Sequence, residues 1–391
     1  MDKKRISNYV SDIIEDIKKN GDKAIFKYLK KFDGIDLSKK GYKVSQKTID
    51  EAVKCVPASL KKVLKASYSN VSAFHKYEYS QIKKSWKFTK NGVTVGQFYN
   101  SIESVGLYIP GGHFSYPSTV IMAAIAAKAA GVKRIVMATP PNKMSDAVLY
   151  TARLCGIEEI YCIGGIMAVA ALAYGSETIK KVDMIVGPGN AYVNEAKRQV
   201  FGQVAIDSLA GPSEVAIIAD RNVPEKYVIY DIMAQVEHDP MAKAYLLCEC
   251  KRKIARIKAG LPKEAFKQLK IVHCSQEKAV EKVNIIAPEH LELLVKDFSK
   301  LIKSIKNAGA IFAGYQTPTV VGDYWAGPSH VLPTGGSARF SSGLSVMSFL
   351  KKTSYIEMNK SNKKAYKEIM AFAECEGMSY HKKSTQERYE S

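Results

Sequence analysis

The sequence predicts an α/β protein that contains two parallel β-sheets flanked by helices. Short aliphatic runs alternate with stretches of helical apolar spacing, once between residues 105 and 186 and again between residues 215 and 312. Repeated strand–helix units build parallel sheets, because each helix returns the chain to the edge at which the previous strand began. The chain has 391 residues, of which 46% are hydrophobic, so it can bury a core large enough for two or three domains.

The same periodicities predict the elements that precede and form the first series of strand–helix units, residues 105–186. Residues 6–28 have helical spacing with a break at Gly21-Asp22, and residues 93–98 alternate as a strand does. The strands expected in the first sheet are residues 105–109, 134–138, 160–163 and 182–186, and its helices are residues 119–130, 147–154 and 167–173.

The second series of strand–helix units, residues 215–312, begins with another strand that is expected to be buried. The strands expected here are residues 215–219, 245–248, 271–274, 283–286 and 310–312. A helix begins near Pro224, which suits a first helical turn, and has an apolar residue at every fourth position up to Val236. Another amphipathic helix is expected from Ser361 to the neighbourhood of Gly377, because glycine commonly ends a helix.

Composition excludes several classes of protein. Seven cysteines without a CxxC pair argue against a disulfide framework and a cysteine-rich zinc site, so we expect reduced thiols, mostly in the core. No run approaches the ~20 apolar residues of a membrane span, and the N-terminus lacks the apolar part of a signal peptide, so we expect a soluble cytoplasmic protein. The formal charge of +20 comes from scattered lysines without a nucleic-acid-binding motif, and we expect no nucleic-acid partner.

The first candidate metal ligands lie at the end of the helix that begins near Pro224. Gln235 and His238 are three residues apart, so their side chains are expected on one face of that helix. They form only half a metal site, and a lone helical histidine is more often a surface or core residue. Further donors come from Asp323 in a glycine-bearing loop, from Glu289-His290, and from the tail segment 376–381.

These segments and several glycine-rich motifs together resemble one known family. The resemblance is carried by residues 104–112, 185–193, 206–215, 233–240, 287–290, 322–330 and 376–381. Motifs of this kind, in this order, are typical of histidinol dehydrogenase. The resemblance covers nearly the whole chain and lacks mainly a short N-terminal extension that many members have.

The resemblance implies a zinc-dependent enzyme with one zinc ion per subunit. By resemblance, the zinc ligands are Gln235, His238, Asp323 and His381. Two imidazoles, a carboxylate and a carbonyl-type oxygen suit Zn²⁺, which would chiefly orient the substrate. The residues that match the family's substrate contacts are Ser213, Gln235, His238, His290, Asp323, Glu376 and His381.

The resemblance also implies that NAD is the cofactor and that Tyr108 and Asn190 contact it. The usual GxGxxG fingerprint is absent, because Tyr192 occupies the third glycine position after Gly187. A glycine turn of this kind can still bring backbone N–H groups to a phosphate. Where this chain has Met167, the family commonly has a glutamine that touches NAD. We expect the loss of one hydrogen bond, worth about 0.5–1.5 kcal/mol, to weaken NAD binding or to alter the pose of NAD.

Glu289 and His290 are the expected catalytic pair. We expect them at the start of a helix after Pro288, where the helix dipole would favour an ionised Glu289 and a neutral His290. The resemblance implies that His290 is the general base in both oxidations and that Glu289 activates water between them. The reaction would be the four-electron oxidation of L-histidinol, through L-histidinal, to L-histidine. No cysteine nucleophile is required, in contrast to aldehyde dehydrogenases.

The family also supplies a domain plan. We expect two incomplete Rossmann-like parallel-sheet domains and a small C-terminal helical tail domain, assembled into an intertwined homodimer. Residues 1–107 and 213–350 would form the domain that carries the zinc and catalytic residues, so the N-terminal segment would join the second sheet. Residues 108–212 would bind NAD, and the tail of residues 351–391 would reach the partner subunit with Glu376 and His381.

Two other functions remain open at this point. A relative with the same zinc core could oxidise another small polyol, such as a sulfonated propanediol. Glu376 favours a cationic substrate, whereas Met167 and residues 377–380 leave the substrate open. A non-catalytic metal or nucleic-acid binder would belong to another class, and the Glu289-His290 pair argues against it. The remaining histidines are His330, which has no assigned role, and His75, His113 and His273, which are expected to be structural or exposed.

Overall fold

The structure is a computed structural model that describes residues 3–111, 115–358 and 362–390. Contacts along the chain divide it into two units. The first unit runs through Tyr79 and resumes over Ile102–Phe349, and the second contains Ser80–Ser101 and the chain from Leu350 onward. The first unit holds two parallel sheets, and the second holds one antiparallel sheet.

The helices and strands have the following bounds. The helices are α1 (Lys3–Asp33), α2 (Gln46–Cys55), α3 (Ala58–Ser80), α4 (Pro117–Ala130), α5 (Asp146–Leu154), α6 (Gly165–Tyr174), α7 (Ala191–Val200), α8 (Glu225–Val236), α9 (Lys251–Gly260), α10 (Gln276–Ile286), α11 (Phe298–Ile302), α12 (Thr319–Tyr324), α13 (Lys363–Cys375) and α14 (Ser379–Glu390). The strands are β1 (Ser85–Lys90), β2 (Val93–Ser101), β3 (Ser104–Tyr108), β4 (Arg134–Ala138), β5 (Glu159–Tyr161), β6 (Met184–Val186), β7 (Ala205–Ile206), β8 (Glu214–Ala219), β9 (Lys243–Cys248), β10 (Leu269–His273), β11 (His290–Leu294), β12 (Ala310–Ala313) and β13 (Leu350–Met358).

The first parallel sheet has the strand order β5-β4-β3-β6-β7. Its central strand β3 is buried at every residue, as expected for a parallel strand that helices cover. The helix α4 is apolar on all sides and is buried from Thr119 to Ala127. It has Pro117 in its first turn and ends at Gly131 in the left-handed conformation, so both ends follow the usual proline and glycine preferences.

The N-terminal helix α1 packs against α6 and α7 of the first sheet. Its apolar residues Val10, Ile14 and Ile17 share one core with the alanine-rich helix α6. The expected break is confirmed at Gly21, which has φ 49° and ψ −130°. We expected the N-terminal segment beside the second sheet, whereas α1 lies on the first, because its apolar face meets the small residues of α6. The domain boundaries themselves stay a prediction.

The second parallel sheet has the order β10-β9-β8-β11-β12. Counted within each sheet, both sheets therefore have the order 3-2-1-4-5, which is the Rossmann-like arrangement expected from the sequence. The chain moves outward in one direction from a central first strand and then returns to build the other side. The turning point lies between β3 and β6 in the first sheet and between β8 and β11 in the second.

Residues 283–286 form the last turn of α10 and not the predicted strand. Ser275 caps this helix, and Ala279 and Val283 are buried four residues apart, which is helical spacing. Ala287 then adopts φ 49°, and Pro288 cannot continue the helix. The strand that follows is β11, which is buried at every residue and which the sequence pattern missed. A short apolar run is compatible with either element, and here burial on one helical face decides.

The second unit combines the antiparallel sheet β1-β2-β13 with α13 and α14. The strand expected at residues 93–98 is confirmed as part of β2, which pairs with β1 across Asn91 and Gly92, both at positive φ. The helix that was expected to end near Gly377 is α13, and Gly377 has φ 70°. Its expected start at Ser361 lies outside the described residues. The tail also contains β13 and α14, which were not predicted.

Two expectations from composition can be compared with the structure. In the described part of the chain, no helix is both long and apolar enough to cross a bilayer. The seven cysteines are free thiols, as expected. Only Cys155 and Cys248 are fully buried, and Cys55 and Cys375 are exposed, so the thiols are less confined to the core than predicted.

Candidate active site

A cavity of about 490 Å³ in the first unit, here called the central cavity, lies between the edges of the two parallel sheets. The carboxyl ends of β3 and β6 lead into Pro110 and Gly189 on one side, and the amino ends of β8 and β11 bring Ser213 and Glu289 to the other. Since β8 and β11 are paired neighbours in a parallel sheet, their starting residues lie side by side. The other polar side chains of the lining are Tyr116, Ser118, Thr119, Asn190, Asn194, His238, Asp239, His290, Asp323, Tyr324 and His330.

His290 is the first residue of β11 and is only 7% exposed. Its Nδ1 lies 3.4 Å from the backbone oxygen of Glu214, and because a carbonyl can only accept, Nδ1 donates and Nε2 keeps its lone pair. Burial lowers the pKa of the imidazole, and the nearby Asp323 carboxylate opposes that effect. The ring is therefore neutral near neutral pH, as a general base must be.

Glu289 immediately precedes β11 and is equally buried. Burial raises the pKa of its carboxyl to about 8, although the Glu214 N–H, which donates to Oε2 at 3.0 Å, acts in the opposite direction. The neighbouring acids Glu214 and Asp323 raise the pKa further by charge repulsion. The carboxyl thus changes its protonation close to neutral pH, which suits an acid or base in catalysis.

The expectation that this pair starts a helix is wrong. The helix α10 ends just before Pro288, and the pair stands at the start of a strand. Burial, and not a helix dipole, keeps His290 neutral. Burial also has the opposite effect on Glu289 from the one expected, because it favours the protonated carboxyl over the ionised one.

Glu214, the first residue of β8, is a buried acid that the sequence analysis missed. Its Oε1 accepts hydrogen bonds from the N–H groups of Gly335 at 2.8 Å and Gly336 at 3.3 Å, and burial raises its pKa. The carboxylate ties the loop around these glycines to the start of β8, next to Glu289. An acid at the head of an otherwise apolar strand was the signal in the sequence that could have identified it.

Two of the four predicted zinc ligands, His238 and Asp323, face the central cavity. His330 adds another imidazole, whose Nδ1 lies 3.3 Å from the backbone oxygen of Asp323 and 3.8 Å from its carboxylate Oδ1. Nitrogen and oxygen donors of this kind suit zinc. Among the described residues, however, no three His, Cys, Asp or Glu side chains are grouped so that they could hold a metal ion. The type of donor fits zinc, but the described residues of one chain gather too few such donors.

Gln235, a third predicted ligand, lies in the last turn of α8, and His238 belongs to the turn after the helix. Gln235 is buried, and its amide nitrogen has no hydrogen-bond partner. An unpartnered buried polar atom is costly, so this amide marks a place where a further polar group is needed. Gln235 is not among the residues that line the central cavity.

The fourth predicted ligand, His381, belongs to the second unit, as does Glu376. Glu376 follows α13 and His381 lies in α14, and both are exposed. They line a groove of that unit with the exposed apolar side chains of Phe372 and Tyr380. Their part in the site stays a prediction.

A second cavity of about 620 Å³, here called the α1 cavity, is bounded by α1 and by the first turns of α6 and α7. Asn190, a predicted NAD contact, lines both this cavity and the central cavity. Its side-chain oxygen caps α7 by accepting from the N–H groups of Tyr192 and Val193. The phenol oxygen of Tyr108, the other predicted NAD contact, accepts from the Gly165 N–H at 3.3 Å, beside the α1 cavity.

The glycine turn at Gly187 serves the fold itself. A Cβ at this residue would lie 2.1 Å from the backbone oxygen of Tyr108, so only glycine allows β3 and β6 to end this close together. The Gly187 N–H donates to the carboxylate of Asp207 at 2.7 Å, and its carbonyl accepts from the buried ammonium of Lys197. Both backbone groups of Gly187 are therefore already paired. The sequence analysis allowed this turn to bind a phosphate through its N–H groups, but the Gly187 N–H is not available for that contact.

A buried carboxyl and a partly buried one connect the elements that carry the site. Glu292, two residues after His290, accepts from the Thr319 N–H at 3.0 Å, at the start of the helix that contains Asp323. Its carboxyl also contacts that of Asp231 in α8. Burial raises the pKa of Asp231 to about 6, and burial and the charge of Asp231 raise that of Glu292 well above its usual value. The two groups can share one proton and so hold α8, β11 and α12 together.

The remaining histidines are in the structural and exposed positions that were expected for them. His75 is wholly buried, and its Nδ1 lies 2.8 Å from the Glu78 carboxylate. His273 is exposed, and its Nε2 bonds to the Glu249 backbone oxygen. His113 lies outside the described residues.

Comparisons over the whole chain agree on one family. The family model for histidinol dehydrogenase matches residues 1–389. The chain is 44% identical to histidinol dehydrogenase from Thermosynechococcus vestitus, over 97% of this chain and 92% of that protein. It is 41% identical to the enzyme of that name from Methanocaldococcus jannaschii, over 97% of this chain and 91% of that protein. The chain belongs to the histidinol dehydrogenase family. It is therefore an oxidoreductase, and the resemblance seen in the sequence is confirmed.

Solved structures confirm the fold. A histidinol dehydrogenase from Elizabethkingia anophelis superposes with a TM-score of 0.91 at 36% identity, covering 98% of this chain and 92% of that one. A putative aldehyde dehydrogenase from Burkholderia cenocepacia has a TM-score of 0.52 at 14% identity, covering 90% of this chain and 85% of that one. The second likeness concerns the fold alone.

Proposed function

We propose that this protein oxidises L-histidinol, through L-histidinal, to L-histidine in a zinc-dependent reaction that reduces two NAD, at the end of histidine biosynthesis. The main support is the buried Glu289-His290 pair at the edge of the central cavity, where a neutral imidazole with a free Nε2 adjoins a carboxyl that titrates near neutral pH. The relatives named histidinol dehydrogenase indicate the substrate. The alcohol and one water lose four electrons to two NAD and release three protons, which leaves the carboxylate.

His290 is the proposed base in both oxidations. Its Nε2 would accept the alcohol proton while the hydride leaves the adjacent carbon, and it would accept a proton again from the aldehyde hydrate. The bond from Nδ1 to the Glu214 carbonyl holds the ring in the required tautomer. When bound, NAD supplies the hydride acceptor, and Tyr108 and Asn190 are its proposed contacts.

Glu289 is the proposed base for hydration of the aldehyde. Its ionised carboxylate would take a proton from the water that attacks the carbonyl carbon. Because the pKa of Glu289 is about 8 in the chain without metal, a positive ion in the cavity would favour the ionised form at neutral pH. Ser213, beside Glu289 in the lining, is a proposed substrate contact.

We propose Gln235, His238, Asp323 and the partner's His381 as the zinc ligands. When bound, zinc supplies a Lewis-acidic anchor that orients the amine and imidazole nitrogens of the substrate. The support is the donor chemistry of His238 and Asp323, which line the central cavity. Gln235 and His381 are included because they match the family's ligands.

We further propose a homodimer in which the tail of each chain completes the site of the other. The described residues of one chain gather too few donors, and His381 and Glu376 stand exposed on a unit with a partly apolar groove. Glu376 would hold the cationic amine of the substrate by a charge-assisted hydrogen bond.

The reaction is tested by counting NADH. Purified protein is mixed with limiting L-histidinol or a dihydroxypropane sulfonate, with and without a chelator. We expect two NADH for each L-histidinol, little turnover of the sulfonate, and loss of activity after chelation that zinc restores. One NADH per substrate, or preference for the sulfonate, would contradict the proposal.

The shared site is tested by mixing two inactive variants. His381→Ala lacks the tail ligand and His290→Ala lacks the base, so a hybrid dimer has one site with both residues intact. We expect each variant alone to be inactive and the co-expressed mixture to regain activity. A mixture that stays inactive although hybrid dimers are detected would contradict the exchange of tails.

A further inference from the structure

The chain crosses from the first parallel sheet to the second through residues 207–213, here called the linker, which join β7 to β8. Its last four residues, 210–213, line the central cavity, and Ser213 is the proposed substrate contact. Leu209 is 46% exposed, so apolar packing does little to hold this segment. The position of the linker therefore depends on the hydrogen bonds that its backbone and side chains make.

Helix α7, which precedes β7, supplies hydrogen bonds to the first part of the linker. Lys197 is wholly buried, pairs with the carboxylate of Asp207 and also donates to the Gly187 carbonyl. Asn194 lies one helical turn earlier on the same face of α7 and bonds to Ala210, three residues after Asp207. Two side chains three residues apart on the helix thus hold two linker positions that are also three residues apart.

The side chain of Asn194 bridges the two sides of the central cavity. Its amide nitrogen donates to the carbonyl of Gly189 at 2.9 Å and to that of Ala210 at 2.6 Å, and its Oδ1 accepts from the Ala210 N–H at 3.1 Å. Gly189 leads into Asn190, a proposed NAD contact, whereas Ala210 leads towards Ser213. Both N–H groups of the amide are used in these bonds, so Asn194 lines the cavity without a donor left for a ligand.

The other end of the linker is held on the side of the second sheet. The Gly211 N–H donates to the hydroxyl of Thr334. The Ser213 carbonyl accepts from the N–H of Lys243, the first residue of β9, at 3.0 Å. The linker is therefore fixed at both ends, and of the two side chains of α7 that bond to it, Asn194 holds the position nearer to Ser213.

We propose that Asn194 is a positioning residue that fixes the distance over which the hydride moves. The proposed NAD contact Asn190 lies on the side of the first sheet, whereas the base His290 and the substrate contact Ser213 lie on the side of the second. Hydride transfer requires the two reacting atoms to be about 3–3.5 Å apart, and a misplacement of about 1 Å can lower the rate roughly 100-fold. Loss of the bridge would release the linker and with it this distance. The inference rests on the proposed oxidation of L-histidinol by NAD, and it names the residue that aligns the two reactants.

The first test measures the linker without substrate or NAD. Hydrogen–deuterium exchange of residues 207–213 is followed by mass spectrometry for wild type, Asn194→Ala and Asn194→Leu, which fills the same space without polar atoms. Asn284→Ala is the matched control, because the Asn284 side chain also bonds to backbone groups, at residues 304–307, and lines neither the central cavity nor the α1 cavity. We expect at least tenfold faster exchange in both Asn194 variants and no change in Asn284→Ala. Unchanged exchange in the Asn194 variants would overturn the inference.

Kinetics of the holoenzyme then separate positioning from structural support. At a temperature where all variants are folded, we expect kcat with L-histidinol to fall at least tenfold in both Asn194 variants, with the KM for L-histidinol and the Kd of NAD within threefold of wild type. The deuterium isotope effect on kcat, with deuterium at the alcohol carbon, should rise because hydride transfer becomes the slow step. Asn284→Ala should keep the kcat of wild type. An equal loss of kcat in Asn284→Ala, or a loss confined to KM, would overturn the inference.

The proposed function and this inference fail in different ways. If wild type yields two NADH for each L-histidinol but the Asn194 variants keep its kcat, the inference fails and the function stands. If wild type yields no NADH from L-histidinol, the function fails, and the exchange rates decide whether Asn194 holds the linker.

Discussion

The two parallel sheets share one strand order but use opposite edges. The first sheet opens a cavity at the carboxyl ends of its strands, where Rossmann-like folds usually bind ligands. The second sheet contributes the amino ends of β8 and β11 to that same cavity, with Ser213 and the Glu289-His290 pair. Identical topology therefore does not decide which edge binds a ligand.

The carboxyl end of the second sheet is closed by its own side chains. Asp220, directly after β8, accepts hydrogen bonds from the N–H groups of Asn222, Val223 and Lys296 and from the hydroxyl of Tyr315. Lys296 follows β11, so this one carboxylate spans the turning point between β8 and β11. At the corresponding edge of the first sheet, Pro110, Pro188 and Gly189 line the central cavity. The difference shows that the residues at the turning point, and not the strand order, determine whether a crevice stays open.

The largest effect is expected from His290→Gln, which removes the base at the amino edge of the second sheet. We expect kcat for NADH formation from L-histidinol to fall by about 10²–10⁴-fold. NAD binding by calorimetry should stay within twofold of wild type, because its proposed contacts Tyr108 and Asn190 lie at the edge of the first sheet. A similar loss in NAD binding would show that the two edges are not separate, and the comparison would fail.

The next effect concerns the stability of the metal-free protein as a function of pH. Since the pKa of Glu289 is raised from 4.5 to about 8 in the folded chain, the native state holds a proton that the unfolded state has released between those values. The contribution of Glu289 to stability therefore falls as pH rises from about 4.5 to about 8. Glu289→Gln cannot ionise, so its free energy of unfolding, measured by urea titration, should decline less over this range, by up to about 5 kcal/mol. Parallel curves for variant and wild type would contradict the raised pKa.

Asp220→Ala tests whether the closed edge of the second sheet is structural. Four hydrogen-bond donors lose their acceptor, and we expect the free energy of unfolding to fall by about 3 kcal/mol. The KM values for L-histidinol and NAD should not change at temperatures where the variant is folded. Asp297→Ala removes an exposed acid near the same edge and should cost less than about 0.5 kcal/mol. Equal effects of the two substitutions would show that Asp220 does not close the crevice.

The smallest effect is expected from Met167→Gln at the open edge of the first sheet. Met167 lines the α1 cavity, and an amide there could add one hydrogen bond to the dinucleotide. We expect the KM for NAD to fall about threefold to tenfold, which corresponds to about 0.5–1.5 kcal/mol. The KM for L-histidinol should be unchanged. An unchanged or higher KM for NAD would contradict the expected contribution of this position to NAD binding.

The sequence was most informative where its pattern was periodic or its motifs were long. The alternation of aliphatic runs and helices predicted four strands of the first sheet and missed the short β7, and the motif order predicted the family that the comparisons confirm. It failed at residues 283–294, where one apolar run was assigned to a strand and the true strand β11 to a helix start. When a proline separates two apolar runs, the sequence pattern does not indicate which run is buried on both faces.

The sequence indicated which types of residue form the site, but it did not indicate their protonation states. The resemblance to the family, together with residue type, proposed an acid, a base and metal donors in Glu289, His290, His238 and Asp323. The neighbour Glu214, the burial of the pair and the shared carboxyls of Asp231 and Glu292 arise only when distant strands and helices meet. A pKa depends on desolvation and on charges within a few ångströms, and neither is a property of local sequence.

By itself, the chain of residues determined the parallel α/β architecture, the family and the set of side chains with which chemistry can be done. The tertiary structure alone decided that helix α1 lies over the first sheet, that β8 and β11 turn their amino ends to a cavity, and that Asp220 closes their other ends. The physical reason is the separation along the chain of the residues that determine each property. Secondary structure follows from periodicities of a few residues, but cavities and protonation states follow from which surfaces are excluded from water, and segments hundreds of residues apart settle that together.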